Sequence, residues 1–141
     1  GLGVWNLLVN LRNTRNASFI NTVTSQRVKW IEQLRQDIAT YCSLMQSLVY
    51  ADAEVQDTLK RAELLREIDR LKHVILLRLN PDGTSDRRIQ ELIRVVYKQP
   101  QTPSDLEHTL RSLVIETQNL IKVEWEKVKD EAEKGRLAST K

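Results

Sequence analysis

Two histidine–carboxylate pairs, one cysteine and three tryptophans are the side chains of this 141-residue chain whose chemistry goes beyond packing. Asp105 and His108 stand three apart, and Asp69 and His73 four apart, so on a helix each pair shares a face and could donate to a metal in the core of a helical bundle. Neither belongs to the repeated Glu-x-x-His set of a di-iron bundle, and Asp105 falls in a first helical turn, where an acid offsets the helix dipole. No metal site is therefore assigned. Cys42 is the single cysteine and can form no internal disulfide; beside an apolar stripe it reads as a buried, inert thiol in a reducing compartment. There is no Gly-x-Ser-x-Gly elbow, no Cys-His signature and no glycine-rich phosphate loop. The expectation is a chain with no catalytic residues and no cofactor, which is not an enzyme.

The remaining polar motifs have plainer explanations. Lys60-Arg61 and Arg87-Arg88 could contact phosphate, but Asp57, Glu63, Asp86 and Glu91 surround them and make a solvated face of mixed charge. Asn16-Ala17-Ser18 matches a glycosylation acceptor that would matter only in a secretory compartment. Trp30 and Trp125 each have charged neighbours. They read first as half-buried core residues and second as anchors of a partner interface, where indoles are enriched.

Charge is distributed unevenly along the chain. Residues 1–31 carry Arg12, Arg15, Arg27 and Lys29 with no Asp or Glu, while the remainder is nearly balanced, with 18 basic against 19 acidic residues. A near-neutral body with a basic leader is unlike a nucleic-acid module, which presents a basic face on the folded domain. It suits a juxtamembrane segment, because the cytoplasmic flanks of spans are rich in Lys and Arg and are drawn to anionic lipid. The leader opens with Leu2, Val4, Trp5, Leu7, Leu8, Val9 and Leu11, an apolar run about half the ~20 residues that crossing requires. The charges follow this run rather than precede it, which argues against a signal peptide. A start at Gly1 instead of Met leads to the expectation that upstream residues complete a span.

These features must be positioned by helices. Four Gly and three Pro, with 40% apolar and 29% charged residues, predict an all-α chain. A first helix is expected over Thr22–Tyr50, with Ile31, Leu34, Ile38, Tyr41, Met45 and Leu48 at alternating spacings of three and four. The Asn, Thr and Ser content of residues 13–25 suggests a hinge before it. A second helix over Ala53–Leu79 has Val55, Leu59, Ala62, Leu65, Ile68, Leu71, Ile75 and Leu79 on its buried face. Asn80-Pro81-Asp82-Gly83 must break it. Thr84 or Ser85 is expected to cap a short third helix to Lys98, with Ile89, Leu92, Ile93 and Val96 inward. Ser104 and Glu107 form a capping box for a fourth helix, which carries Leu106, Leu110, Leu113, Thr117, Leu120, Ile121, Val128 and Ala132 on its apolar face and stops at Gly135. The predicted architecture is an antiparallel bundle of three long helices and one short one. Its organisation is an anchor-proximal leader (1–21), the bundle (22–134) and a tail (135–141).

Three stretches carry a family likeness: Thr24-Ser25-Gln26-Arg27-Val28-Lys29-Trp30-Ile31 with Leu34-Arg35, Leu71-Lys72 leading to Leu79-Asn80-Pro81, and Val123-Glu124-Trp125-Glu126-Lys127-Val128-Lys129. Together they resemble a group of poorly characterised small bacterial proteins with an N-terminal membrane span and a cytoplasmic helical domain. The resemblance covers most of residues 22–134. It implies a bacterial source, a body at the cytoplasmic face of the inner membrane, and a setting such as a stress or phage-defence system; it implies no activity for any residue.

The functional expectation is a membrane-anchored interaction or assembly module. Arg12, Arg15, Arg27 and Lys29 are its membrane-proximal cations, and Trp30, Trp125, Leu7, Leu8 and Leu11 its candidate interface. The stripe from Ile31 to Leu48 is expected to remain uncovered by the chain's own bundle and to drive self-association. Two alternatives stay open. One is a soluble coiled-coil-like adaptor whose leader is an oligomerisation helix; the other is a helical nucleic-acid module whose binding would weaken steeply with salt.

Overall fold

The computed structural model describes residues 2–50, 57–98 and 102–138, and all regular structure among them is helical. The elements in chain order are α1 (Leu2–Tyr50), α2 (Thr58–Arg78), α3 (Thr84–Lys98) and α4 (Pro103–Lys134). They form two compact units, one made of residues 1–31 with 122–141 and the other of residues 32–121. The expected hinge over residues 13–25 is absent, because α1 is one uninterrupted helix through it. Thr22 returns its hydroxyl to the Ser18 carbonyl, so a residue of poor helix propensity is satisfied without leaving the helix.

In the 32–121 unit the core follows the predicted periodicity closely. Leu34, Ile38, Tyr41 and Met45 from α1 are buried, as are Ile68, Leu71 and Ile75 from α2, Ile89, Ile93 and Val96 from α3, and Leu106, Leu110 and Leu113 from α4. The α1 stripe is thus covered by the chain itself and is not the free seam that the sequence suggested. Only Leu48 departs, at half burial. Three further helices with matching stripes supply the cover that an isolated helix would seek from another molecule.

Polar contacts show how these helices fold back. Arg78, closing α2, donates to the Asp37 carboxylate at 2.9 Å and to Gln33 at 2.8 Å, both on α1. Tyr50, closing α1, donates to the Pro103 carbonyl at the start of α4. Arg88 of α3 lies 3.5 Å from Glu116 of α4.

Several helix ends differ from expectation. α2 begins at Thr58, with Asp57 as its cap accepting the Leu59 N–H at 3.1 Å; Ala53 and Val55 lie outside the described residues. Leu59, Ala62 and Leu65, predicted inward, are exposed, and no described residue of α2 before Ile68 is buried. An apolar stripe is buried only where neighbouring helices run alongside it.

Thr84 and Ser85, expected as the cap of α3, both lie inside it, and the α2–α3 turn is held by Asp86. Asn80 folds the turn through its side chain, accepting the Asp82 N–H, and through its carbonyl, accepting the Gly83 N–H. The buried Asp86 carboxylate then accepts the Asn80 N–H at 2.8 Å. A Cβ on Gly83 would fall 2.0 Å from Asp86 Oδ2, so only glycine admits this approach.

At the start of α4 the cap is Thr102, whose hydroxyl accepts the Asp105 N–H at 3.2 Å. The predicted box was set two residues late: Pro103 occupies the first helical position, which its fixed φ and missing N–H favour, and Ser104 sits inside the first turn. Gly135 ends α4 as expected, at φ +63°, donating to the Glu131 carbonyl.

Candidate functional site

The candidate residues named from sequence lie in the unit formed by residues 1–31 and 122–141, whose buried described residues are Ile31, Val128 and Glu131. Arg27 of α1 spans two acids of α4, with Nη1 2.8 Å from Glu124 and Nη2 2.8 Å from Glu131. Glu131 has no exposed side-chain surface. Its carboxylate also accepts the Thr24 hydroxyl at 2.6 Å and the Ala138 N–H at 3.2 Å. Lys127 completes the group 3.0 Å from Glu124.

Electrostatics follow from this arrangement. Burial by itself pushes the Glu131 carboxyl upward, but the hydrogen bonds from Thr24, the Ala138 backbone and Arg27 outweigh it and hold the group below the usual carboxylate range. For Arg27, burial lowers the pKa and the bonds to Glu124 and Glu131 more than restore it, leaving the guanidinium above its ordinary value. A cluster in which the buried acid is ionised and paired has no proton poised for transfer. It is a structural clamp between α1 and α4 within this unit, and its link to Ala138 ties down the segment after Gly135.

Glu131 and its partners escaped the sequence reading, which placed the exposed Ala132 on the apolar face instead. The signal was there: Val128 is buried, and Glu131 continues the same stripe three residues later, so an acid at an apolar position marks a buried pair.

The apolar residues near the start of α1 have different surroundings. Val4, Trp5, Leu7 and Leu8 are 63, 67, 58 and 57% exposed, large values for side chains of this type. Leu11 and Arg12 lie within α1, but their side chains fall outside the described residues. Arg15 and Lys29 are exposed, whereas Arg27 is committed to Glu124 and Glu131 and is no free surface cation. Further along α1, Asn16, Ala17, Phe19 and Ile20 line an open groove of about 560 Å³, with Gly135, Arg136 and Leu137 on its other side. Trp30 and Trp125 are both half-buried.

The residues tested for metal or nucleophilic chemistry make local contacts. Asp69 pairs with Lys72 at 3.5 Å and lies 3.7 Å from His73, whose Nδ1 is 2.7 Å from the Asp69 carbonyl oxygen. Asp105 and His108 are both exposed. Among the described residues no group of three or more His, Cys, Asp or Glu could hold a metal. Cys42 is half-buried, and burial pushes its thiol up to about 11, so it is protonated and unreactive at neutral pH. Arg87 is 3.7 Å from Asp82 and Arg88 pairs with Glu116, a mixed-charge surface rather than an open basic patch. No helix among the described residues is long and apolar enough to cross a membrane.

Comparison of the chain with family models, with curated proteins and with solved structures finds no match.

Proposed function

We propose that the chain is a membrane-anchored helical interaction and assembly module, with residues 1–21 as its anchor-proximal segment and its body on the cytoplasmic side of a bacterial inner membrane. A bacterial stress or phage-defence system is the setting that the family resemblance suggests. The observation that carries the reading is the pairing of two properties on one helix. Val4, Trp5, Leu7 and Leu8 stand exposed, and the chain has no acidic residue before Glu32. Exposed apolar surface of this kind marks an interaction site, and a cationic flank selects an anionic one. The half-buried Trp30 and Trp125 are the candidate contacts for a second copy or another protein.

Flotation with lipid vesicles tests the anchoring. The chain is expected to bind vesicles containing anionic lipid more tightly than neutral ones. Arg12, Arg15 and Lys29 changed together to Gln should weaken that binding by about 1 kcal/mol per charge. Arg27 is left in place because its loss would break the Glu124–Glu131 clamp. Equal binding to both vesicle types by both proteins contradicts the electrostatic part of the reading. Dimers in sedimentation that dissociate when Leu7 and Leu8 become Ser favour the adaptor alternative, in which the leader pairs with another copy.

A further inference from the structure

We propose that the groove between α1 and the segment after α4 binds a fatty acid, with the acyl chain along Phe19, Ile20 and Leu137 and the carboxylate at Arg136. The far wall of this groove is held in place by the clamp. Gly135, at φ +63°, ends α4 and turns the chain, and its N–H donates to the Glu131 carbonyl. The buried Glu131 carboxylate accepts the Ala138 N–H at 3.2 Å while it also engages Thr24 and Arg27 of α1. Residues 135–138 are therefore bonded to the same group that grips α1.

The space they enclose with Asn16, Ala17, Phe19 and Ile20 is about 560 Å³, within the roughly 300–1,000 Å³ of small-molecule clefts. Its apolar walls are left uncovered, with Phe19 61% and Leu137 38% exposed. Among its described lining residues Arg136 alone is charged, and it is exposed. Apolar walls with one guanidinium and no acid complement an apolar chain that ends in a single negative charge, and a guanidinium pairs with a carboxylate through two parallel hydrogen bonds. A nucleic acid would find one cation among apolar side chains, too few for backbone binding. The site is independent of the membrane reading, since its lining residues belong to the folded unit and not to the stretch from Val4 to Leu8.

Titration calorimetry of the full-length chain with decanoate, kept below the concentration at which it forms micelles, tests the proposal. Saturable binding of one decanoate per chain is expected, and its absence overturns the site. Phe19→Ser should weaken binding about tenfold, and Arg136→Gln about fivefold. Decanol, which has the same chain without the charge, should bind the parent about as weakly as decanoate binds Arg136→Gln. Equal affinity for decanol and decanoate overturns the role of Arg136. Leu7 and Leu8 changed together to Ser should leave decanoate binding unchanged; loss in that variant, with Phe19→Ser unaffected, assigns the ligand to the start of α1 and overturns the groove. A dimer in sedimentation that Phe19→Ser separates gives the groove to a second copy and likewise overturns the proposal.

Discussion

Two apolar stretches of α1 share a helical spacing and meet opposite surroundings. Leu34, Ile38, Tyr41 and Met45 disappear into the 32–121 unit, whereas Val4, Leu7 and Leu8 stand exposed in the other. The difference lies in what each unit offers them. In the 32–121 unit, α2, α3 and α4 each bring an aliphatic stripe of their own. In the unit of residues 1–31 and 122–141, the α4 side chains that reach α1 include Glu124 and Glu131, which engage Arg27 and Thr24. Periodicity therefore locates apolar surface, and the chemistry of the neighbouring segments decides whether the chain covers it.

Substitution should separate the two stretches sharply. Leu34→Ala, at a fully buried site, is expected to cost about 2–5 kcal/mol in urea unfolding. Leu7→Ala or Leu8→Ala should each stay within about 0.5 kcal/mol, as exposed positions do. Similar losses at both places would erase the distinction.

The Arg27–Glu124–Glu131 cluster of the smaller unit is the next target. Glu131→Ala leaves Arg27 with one of its two acids and removes the acceptor for Thr24 and Ala138, and should cost about 3 kcal/mol. The sign of its pH dependence follows from the depressed pKa. The stabilisation is fully present above the unfolded carboxyl value of about 4.3 and is lost as pH falls through the lower folded value. Acid unfolding of the parent should therefore steepen below about pH 4, and Glu131→Gln should flatten that limb. Identical acid limbs would mean that the carboxylate is not held as the geometry indicates.

Smaller effects probe the ends of helices. Gly83→Ala forces the Asp86 carboxylate away from the Asn80 N–H and should cost about 1–3 kcal/mol, measured by the same urea unfolding. Gly135→Ala meets open space and is penalised only by its positive φ, roughly 1–2 kcal/mol. A larger loss at Gly135 than at Gly83 would reverse the order that the contacts imply.

Most of the core was legible because Ile31 through Met45, Ile68 through Leu79 and Leu106 through Ile121 obey a simple helical period. Helix ends were harder to place. Gly135 announces itself as a stop, but Thr102 caps α4 in place of Ser104 because Pro103 prefers the first helical position, and Asp86 reaches back from inside α3 to accept the Asn80 N–H, a bond different from the cap expected of Thr84 or Ser85. Burial of Leu59 and Leu65 was misjudged because their stripe extends beyond the packed part of α2. In the candidate site, the partners of Arg27 could not be read from the sequence, since Glu124 and Glu131 lie about a hundred residues away.

The central claim is that the exposed leader is a membrane-contact surface separable from the fold, and it is tested most directly by changing Val4, Trp5, Leu7 and Leu8 together to Ser. Flotation with anionic vesicles and thermal unfolding should be measured on the same preparation. Burial of one such side chain is worth about 1.5–3 kcal/mol, so the account predicts a loss of vesicle binding of at least about a hundredfold, with an unfolding midpoint within a few degrees of the parent. Undiminished vesicle binding, or a collapse of the midpoint, would contradict it.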